Sequence, residues 1–324
     1  MSVQVSIIIP TYNYGHFLPD ALESLRRQTF TDWECIIVDD GSTDDTARIA
    51  GRAEKEDPRF FYVPQHNQGQ PVARNTGIAL ASGQYIQFLD SDDLLQPEKL
   101  KIQVDFLERH PETDIVYGKA RYFETGKEAE LFADRWGHRM QEWMPMISGK
   151  GEPMVRAMAE KNILELGCAL FRIEAIEKTG RFEPSAQGVE DYFYCFRAAV
   201  AGCGWHFLEA PQTCVVMRHH PGSFSKNRPN SFRKELQTRL VMRNMLKKMG
   251  DKDSLAANEE EYARRLRRLQ DLLIDQTIKS GGKMPQKDEL EWMLRHSSVR
   301  QNLYFFPRIV KAMLFRQRPA AQAI

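Results

Sequence analysis

QYIQFLDSDDLL, residues 84–95, joins a run of apolar and aromatic side chains to three carboxylates, Asp90, Asp92 and Asp93, within four positions. The run reads as a buried strand, and the acids stand where it stops. ECIIV (34–38) ends in the same way, in Asp39 and Asp40, while VSIII (5–9) closes on Pro10 and FFYV (60–63) is a further strand. Between these strands the spacing predicts helices over about 17–28, after GSTDDT, over about 69–81, and from Pro97 to near His110. Pro19 falls in the first turn of the first helix, where proline is tolerated. Ser42 or Thr43 is placed to cap the second. Later, DIVYG, CALFR (168–172), WHFLEA and TCVVMRHH read as strands, and VEDYFYCFRAAVAG (189–202) as a helix closed by glycine. Strands alternating with helices imply an α/β fold, a mostly parallel sheet flanked by helices. Such sheets bind ligands at the carboxyl ends of their strands, which is where the acids gather.

Each acidic motif has a structural and a chemical reading. Asp90 and Asp92 cap a following helix, or they offer hard oxygen ligands to Mg²⁺ or Mn²⁺, which share their shell with substrate phosphates. Asp39 and Asp40 shape the turn before Gly41, or accept hydrogen bonds from a base or a ribose. Arg74 lies in NQGQPVARNTGIALASG as a surface cation, or as a planar fork aimed at a nucleotide. Glu190 and Asp191 open an apolar helix as first-turn acids, or supply a general base. RHHPGSFS (218–225) is a structural loop, or brings His220 near a phosphate or metal.

The 324 residues suit one large domain with an appendage, and 42% apolar with 27% charged residues is ordinary for a globular chain. The five cysteines are scattered, without metal-ligand spacing, and read as buried thiols of a reducing compartment. The N-terminus lacks the pattern of a signal peptide, and no apolar run is long enough to span a bilayer. These features give a cytoplasmic expectation. Charge is uneven: residues 1–225 hold 23 Lys and Arg against 33 Asp and Glu, while residues 226–324 hold 22 against 11. Two modules with different partners follow from that asymmetry.

Taken together, the blocks VSIIIPTYN, SLRRQTFTDWECIIVDDGSTDDT, NQGQPVARNTGIALASGQYIQFLDSDDLLQPEKL, GCALFRIEAIEKTGRFEPS and VEDYFYCFRAAVAG resemble a family 2 glycosyltransferase with the GT-A fold over about residues 3–225. The resemblance implies metal-dependent transfer of a sugar from a nucleotide diphosphate to an acceptor hydroxyl, with inversion. UDP is the nucleotide it favours, with GDP and dTDP as alternatives. It places Pro10 and Tyr12 in the nucleotide pocket, Asp40 on the base with Asp39 beside it, and Arg74 near the nucleotide. Asp90 and Asp92 match the DxD, Asp92 as direct metal ligand. Asp191 matches the catalytic base, and His220 lies where some members place a histidine over the diphosphate. Residues 1–125 then form the nucleotide-sugar half and 126–225 the acceptor half. No QxxRW motif is present, so addition of one sugar per encounter is expected. Acceptors of this class are glycans, often lipid-linked.

Residues 226–324 lie outside the resemblance and read as helices. Arg295, Arg300, Arg308, Lys311, Arg316 and Arg318 are interleaved there with Trp292, Tyr304, Phe305, Phe306, Ile309, Val310, Met313, Leu314 and Phe315. Such a segment packs as an ordinary amphipathic helix, or lies peripherally on the inner face of a membrane. Nothing beside RRLRR would read nucleic acid. Two other functions fit strand-end acids: a nucleotidyltransferase acting on a sugar phosphate, and a non-catalytic nucleotide-sugar-binding protein.

Overall fold

The computed structural model describes residues 3–127, 130–133, 142–220, 228–280, 283, 285, 287–297 and 299–314. The chain divides into two compact units, Met1–Ser223 and Phe224–Ile324. Residues 221–225 of the RHHPGSFS loop, with Phe315, Arg316 and Arg318 of the tail, lie outside the described residues.

The first unit runs β1 (Val5–Thr11), α1 (Leu18–Arg26), β2 (Trp33–Asp39), α2 (Thr46–Glu56), β3 (Phe60–Pro64), α3 (Gln70–Leu80), β4 (Tyr85–Phe88), β5 (Leu94–Leu95), α4 (Lys99–Arg109), β6 (Ile115–Tyr117) and β7 (Ala120–Glu124). It continues with α5 (Glu152–Glu160), β8 (Ala169–Arg172), α6 (Ile173–Thr179), α7 (Glu190–Val200), β9 (Trp205–Phe207) and β10 (Val215–His219). The main sheet has the order β3-β2-β1-β4-β8-β6-β9. Pairing is parallel from β3 through β4, β8 runs against both its neighbours, and β6 pairs parallel with β9. A small second sheet, β5-β10-β7, takes the last expected strand out of the main one.

Every residue of β1 and β2 is buried. This is the behaviour of central parallel strands covered on both faces, which read as continuous apolar runs. Burying Ile7, Ile8 and Ile9 stabilises the fold by about 1.5–3 kcal/mol each. The polar exception, Ser6, donates to Glu34 Oε1 (2.6 Å) and accepts from the Gly83 amide (2.8 Å). Glu34 in turn accepts from Ser82. Helix α3 reaches β1 through Gly77: a Cβ there would stand 2.3 Å from Ile8 Cγ2. Glycine in a helix interior costs about 0.5–1 kcal/mol. Here it sets the distance at which α3 carries its N-terminal half to the strand ends.

Three local expectations change. Ser42 and Thr43 do not cap α2, which starts later, at Thr46, with no acid in its first turn. Instead Ser42 Oγ accepts from the Asn13 amide (2.8 Å), and the Thr43 amide donates to Asn13 Oδ1 (2.7 Å). These bonds latch the loop after β1, where Asn13 has φ 56°, to the loop after β2. Asp90 and Asp92 do not cap a helix, because β5 intervenes and α4 begins only at Lys99. All five cysteines are buried and free, as expected.

The second unit consists of α8 (Arg228–Met249), α9 (Lys252–Lys279), α10 (Lys287–His296) and α11 (Val299–Leu314) among the described residues. Asp251 caps α9 by accepting from the Ser254 amide (2.9 Å). Leu236, Leu266, Leu273, Met293, Phe305 and Ile309 form the core of this unit, with Trp292 and Phe306 packed against it. The apolar stripe of α11 therefore serves the unit's own interior, while Tyr304 and Val310 stay exposed. Among the described residues no helix is long and apolar enough to cross a membrane.

Candidate active site

The carboxyl ends of β1, β2 and β4 lie side by side in the sheet order. Pro10 is the buried penultimate residue of β1, in register with Val38. Tyr12, just past the strand, is 48% exposed, so its ring is free to stack on a planar ligand.

Asp39 and Asp40 are both buried and well supplied with donors. Asp39 accepts from the Ser42 amide (2.8 Å) and the Tyr62 hydroxyl (2.9 Å). Asp40 accepts from Gln65 Nε2 (2.7 Å) and from the amides of Gln68 (2.9 Å) and Gly69 (2.8 Å). The pair therefore ties the loop between β3 and α3 to the end of β2. Each carboxylate oxygen has two lone pairs, so acceptor capacity remains for a ligand.

The acids after β4 are arranged differently. Asp90 keeps 39% of its side chain exposed and accepts, at one oxygen, from Gln70 Nε2 (3.0 Å) and Arg74 (2.8 Å). Desolvation by the surrounding protein raises its carboxyl above the usual range; Arg74 opposes this and Asp92 reinforces it. Asp93 is buried, accepts from the Arg218 amide (3.0 Å), and is raised well above the ordinary value by burial and then by Asp92 and Asp90. Asp92 lies 3.1 Å from His220 Nε2 through its Oδ2. His220 is buried and packs against the rings of Phe17 and Tyr14. The Tyr14 phenol is pushed up to about 12, by burial first and then by Asp92, Asp90 and Asp93. A negative field thus covers this corner.

Arg74 is buried on α3 and joins two parts of the chain that the sequence separates by about a hundred residues. Its guanidinium donates to Asp90 and to Glu190 Oε1 (2.7 Å). Its Nε has no hydrogen-bond partner among the described residues. Burial disfavours its charge, but Asp90, Glu190 and Asp191 more than restore it. Glu190 also accepts from the Gly188 amide (2.5 Å), which fixes the first turn of α7.

Asp191 follows on that turn and accepts from the Tyr192 amide (2.7 Å). It lines one small pocket with Asp90, Asp93, Glu165, Leu166 and Met217. Its carboxyl is pushed up to about 7, by burial and then by Glu190 and Glu165; Arg74 and the Tyr192 amide pull the other way. A carboxylate poised there suits proton abstraction near neutrality.

Sequence reasoning named Pro10, Tyr12, Asp39, Asp40, Arg74, Asp90, Asp92, Asp191 and His220 and counted Asp93 among the strand-end acids, but gave no role to Glu165, Tyr14 or Arg218. Glu165 accepts from the Tyr122 hydroxyl (3.0 Å), which is itself bonded by Trp143 Nε1 (3.1 Å). Arg218 bonds Asp20 (2.7 Å) and the Asp92 carbonyl (3.1 Å). Asp93 and Arg218 were visible beside their named neighbours. Glu165 had no local signal, because the antiparallel strand that follows it brings it to the site.

Among the described residues, no three His, Cys, Asp or Glu side chains form a ready metal cage. Asp92 and His220 nevertheless put two donors side by side within the negative corner. The Asp92 carboxylate is a hard oxygen ligand of the kind that Mg²⁺ or Mn²⁺ takes, with phosphate and water completing the shell.

A family model described as "Glycosyl transferase family 2" matches residues 6–180. The putative glycosyltransferase EpsH of Bacillus subtilis is 29% identical over 263 residues, covering 74% of each chain. An uncharacterized glycosyltransferase of Rickettsia felis is 42% identical over 119 residues, 37% of this chain, and this chain spans 19% of its length. Among solved structures, Staphylococcus aureus TarS 1–349 in complex with UDP-GlcNAc aligns with TM-score 0.64 at 17% identity, over 97% of this chain and 90% of that one. The mannosyltransferase PcManGT from Pyrobaculum calidifontis, in complex with GDP-Man and Mn²⁺, aligns with TM-score 0.57 at 17% identity, over 98% and 89%.

Proposed function

We propose a function from one premise: the chain belongs to glycosyl transferase family 2 and is a glycosyltransferase of GT-A fold. It moves a sugar from a nucleotide diphosphate, UDP first among the candidates, to a hydroxyl of a glycan or lipid-linked acceptor. The carrying observation is the pocket in which Asp191 faces Asp90, with Arg74 bonded to Asp90 on one side and to Glu190 on the other.

Tyr12 stacks on the base, while the spare lone pairs of Asp39 and Asp40 accept from base N–H and ribose hydroxyl groups. Asp92 and His220 would hold Mg²⁺ or Mn²⁺, with Asp90 beside them. A cation held there would supply Lewis acidity toward the charge on the departing diphosphate. Asp191 takes the proton from the acceptor hydroxyl as its oxygen attacks the anomeric carbon and the bond to the diphosphate breaks. One displacement inverts the centre, through an oxocarbenium-like transition state. A carboxyl near 7 is ionised often enough to act and basic enough to help.

A thermal-shift screen of nucleotide sugars, with and without Mn²⁺, tests the donor; UDP-GlcNAc and GDP-Man are the first probes. A metal-dependent shift is expected for one nucleotide class, and product analysis should show release of the nucleoside diphosphate. Release of pyrophosphate from a nucleoside triphosphate would instead identify a nucleotidyltransferase. Binding without turnover of any donor would leave a binding protein.

A further inference from the structure

The loop that leads into α7 is held to α3 by a residue with no part in the proposed chemistry. Asn75 Nδ2 donates to the Phe182 carbonyl (2.9 Å), and Asn75 Oδ1 accepts from the Phe182 amide (2.7 Å). A side-chain amide thus completes both backbone valences of one residue. The Phe182 ring is fixed as firmly: it stacks on Tyr194 of α7 (centroids 3.9 Å apart, planes 12° apart), meets Phe88 of β4 edge to face, and lies under the Arg74 guanidinium. From Phe182 a 3₁₀ turn, Pro184–Ala186, leads directly to Glu190 and Asp191. The same loop touches α3 again at its start. Gly69 has φ 90° and sits under the Gln187 side chain, where a Cβ would stand 3.0 Å from the amide.

We propose that Asn75 is a positioning residue for Asp191. Its amide clasps the Phe182 backbone, and so holds the loop that delivers the Asp191 carboxylate to the pocket beside Asp90. The inference rests on the reading of Asp191 as the base. Asn75 touches neither reacting atom; it acts through Phe182.

The test uses the full chain with Asn75→Ala and Asn75→Asp. The second variant keeps an acceptor for the Phe182 amide but sets a carboxylate oxygen against the Phe182 carbonyl, and it stands in if the first does not fold. Amide exchange across residues 182–192 is expected to rise in both, while β1 and β2 stay protected. The kcat for UDP release from UDP-GlcNAc is expected to fall roughly 10–100-fold, because displacement of a reacting group by about 1 Å costs on that order. KM for the donor and the Kd of UDP with Mn²⁺ stay within about twofold, since Asn75 bonds none of Asp39, Asp40, Asp90 and Asp92 and their own hydrogen bonds remain. The ascending limb of the rate–pH profile moves down as water reaches the carboxyl. Unchanged exchange across 182–192 overturns the clasp. Raised exchange with unchanged kcat, or UDP affinity lost in step with kcat, overturns the positioning role. UDP release that survives Asp191→Asn overturns the base assignment instead, and release that is absent overturns UDP-GlcNAc as the donor; exchange reports the clasp independently, so these failures are told apart.

Discussion

At the exit of β2, two aspartates meet five neutral donors; at the exit of β4, three aspartates share four donors and repel one another. Asp39 and Asp40 take hydrogen bonds from Ser42, Tyr62, Gln65, Gln68 and Gly69. Asp90 has Gln70 and a share of Arg74, Asp93 has one amide, and Asp92 has a histidine. The same residue type, at equivalent places in the two strands that flank β1, performs two tasks. The first pair shapes a loop, and its charge is dispersed over hydrogen bonds. The second set keeps its charge concentrated, at the cost of carboxyls pushed upward by burial and repulsion. A site of the first kind contributes to folding. A site of the second kind is relieved by positive charge, of which Arg74 already supplies a share to Asp90.

That contrast can be broken at four points. Asp191→Asn removes the acceptor of the proton, and a loss of about 10²–10⁴ in kcat is expected with UDP affinity nearly intact. In the wild type the active form is the carboxylate, so the rate rises as pH climbs through about 7 and then levels. A steady-state pH profile checks both statements, and equal losses in kcat and UDP binding would remove Asp191 from the chemistry. Asp92→Ala is expected to abolish the Mn²⁺-dependent part of UDP binding by calorimetry while leaving the metal-free melting temperature unchanged or raised, because a repelling charge is gone. Unchanged metal-dependent binding would place the cation elsewhere. Asp40→Ala sits on the other side of the comparison. It strands the donors of Gln65, Gln68 and Gly69, and about 2–4 kcal/mol of stability should be lost, read by denaturant unfolding. Tyr62→Phe is the mildest: one hydrogen bond to Asp39 disappears, for about 1 kcal/mol in the same measurement, with donor turnover unaffected.

Much of this was legible in the chain. Continuous apolar runs marked β1, β2 and β4 because both of their faces are covered, and an acid after such a run has few structural uses. Helix starts were harder. Ser42 and Thr43 are good capping residues, yet Asn13 draws their backbone and side-chain groups across to another loop, a competition that no local rule contains. Arg74 was visible as a lone cation on a helix of small residues. Its double engagement with Asp90 and Glu190 depends on a contact spanning 116 positions. Glu165 and the Asn75 clasp are likewise products of long-range packing. The same holds for the tail: its aromatic stripe was plain, but whether it faces inward is decided by α9 and α10, which supply the partners for Phe305 and Ile309.

The reversal of β8 has a wider consequence. A parallel strand lends a rim only the residues that leave it, whereas β8, inserted head to tail between β4 and β6, lends the residues that approach it, Glu165 and Leu166 among them. The stretch between β7 and β8 can therefore lengthen, shorten or change composition while every pairing in the sheet stays in step. Change there alters the pocket wall at Glu165 and Leu166, while the strand ends that carry Asp39, Asp40 and Asp90 keep their places in the sheet.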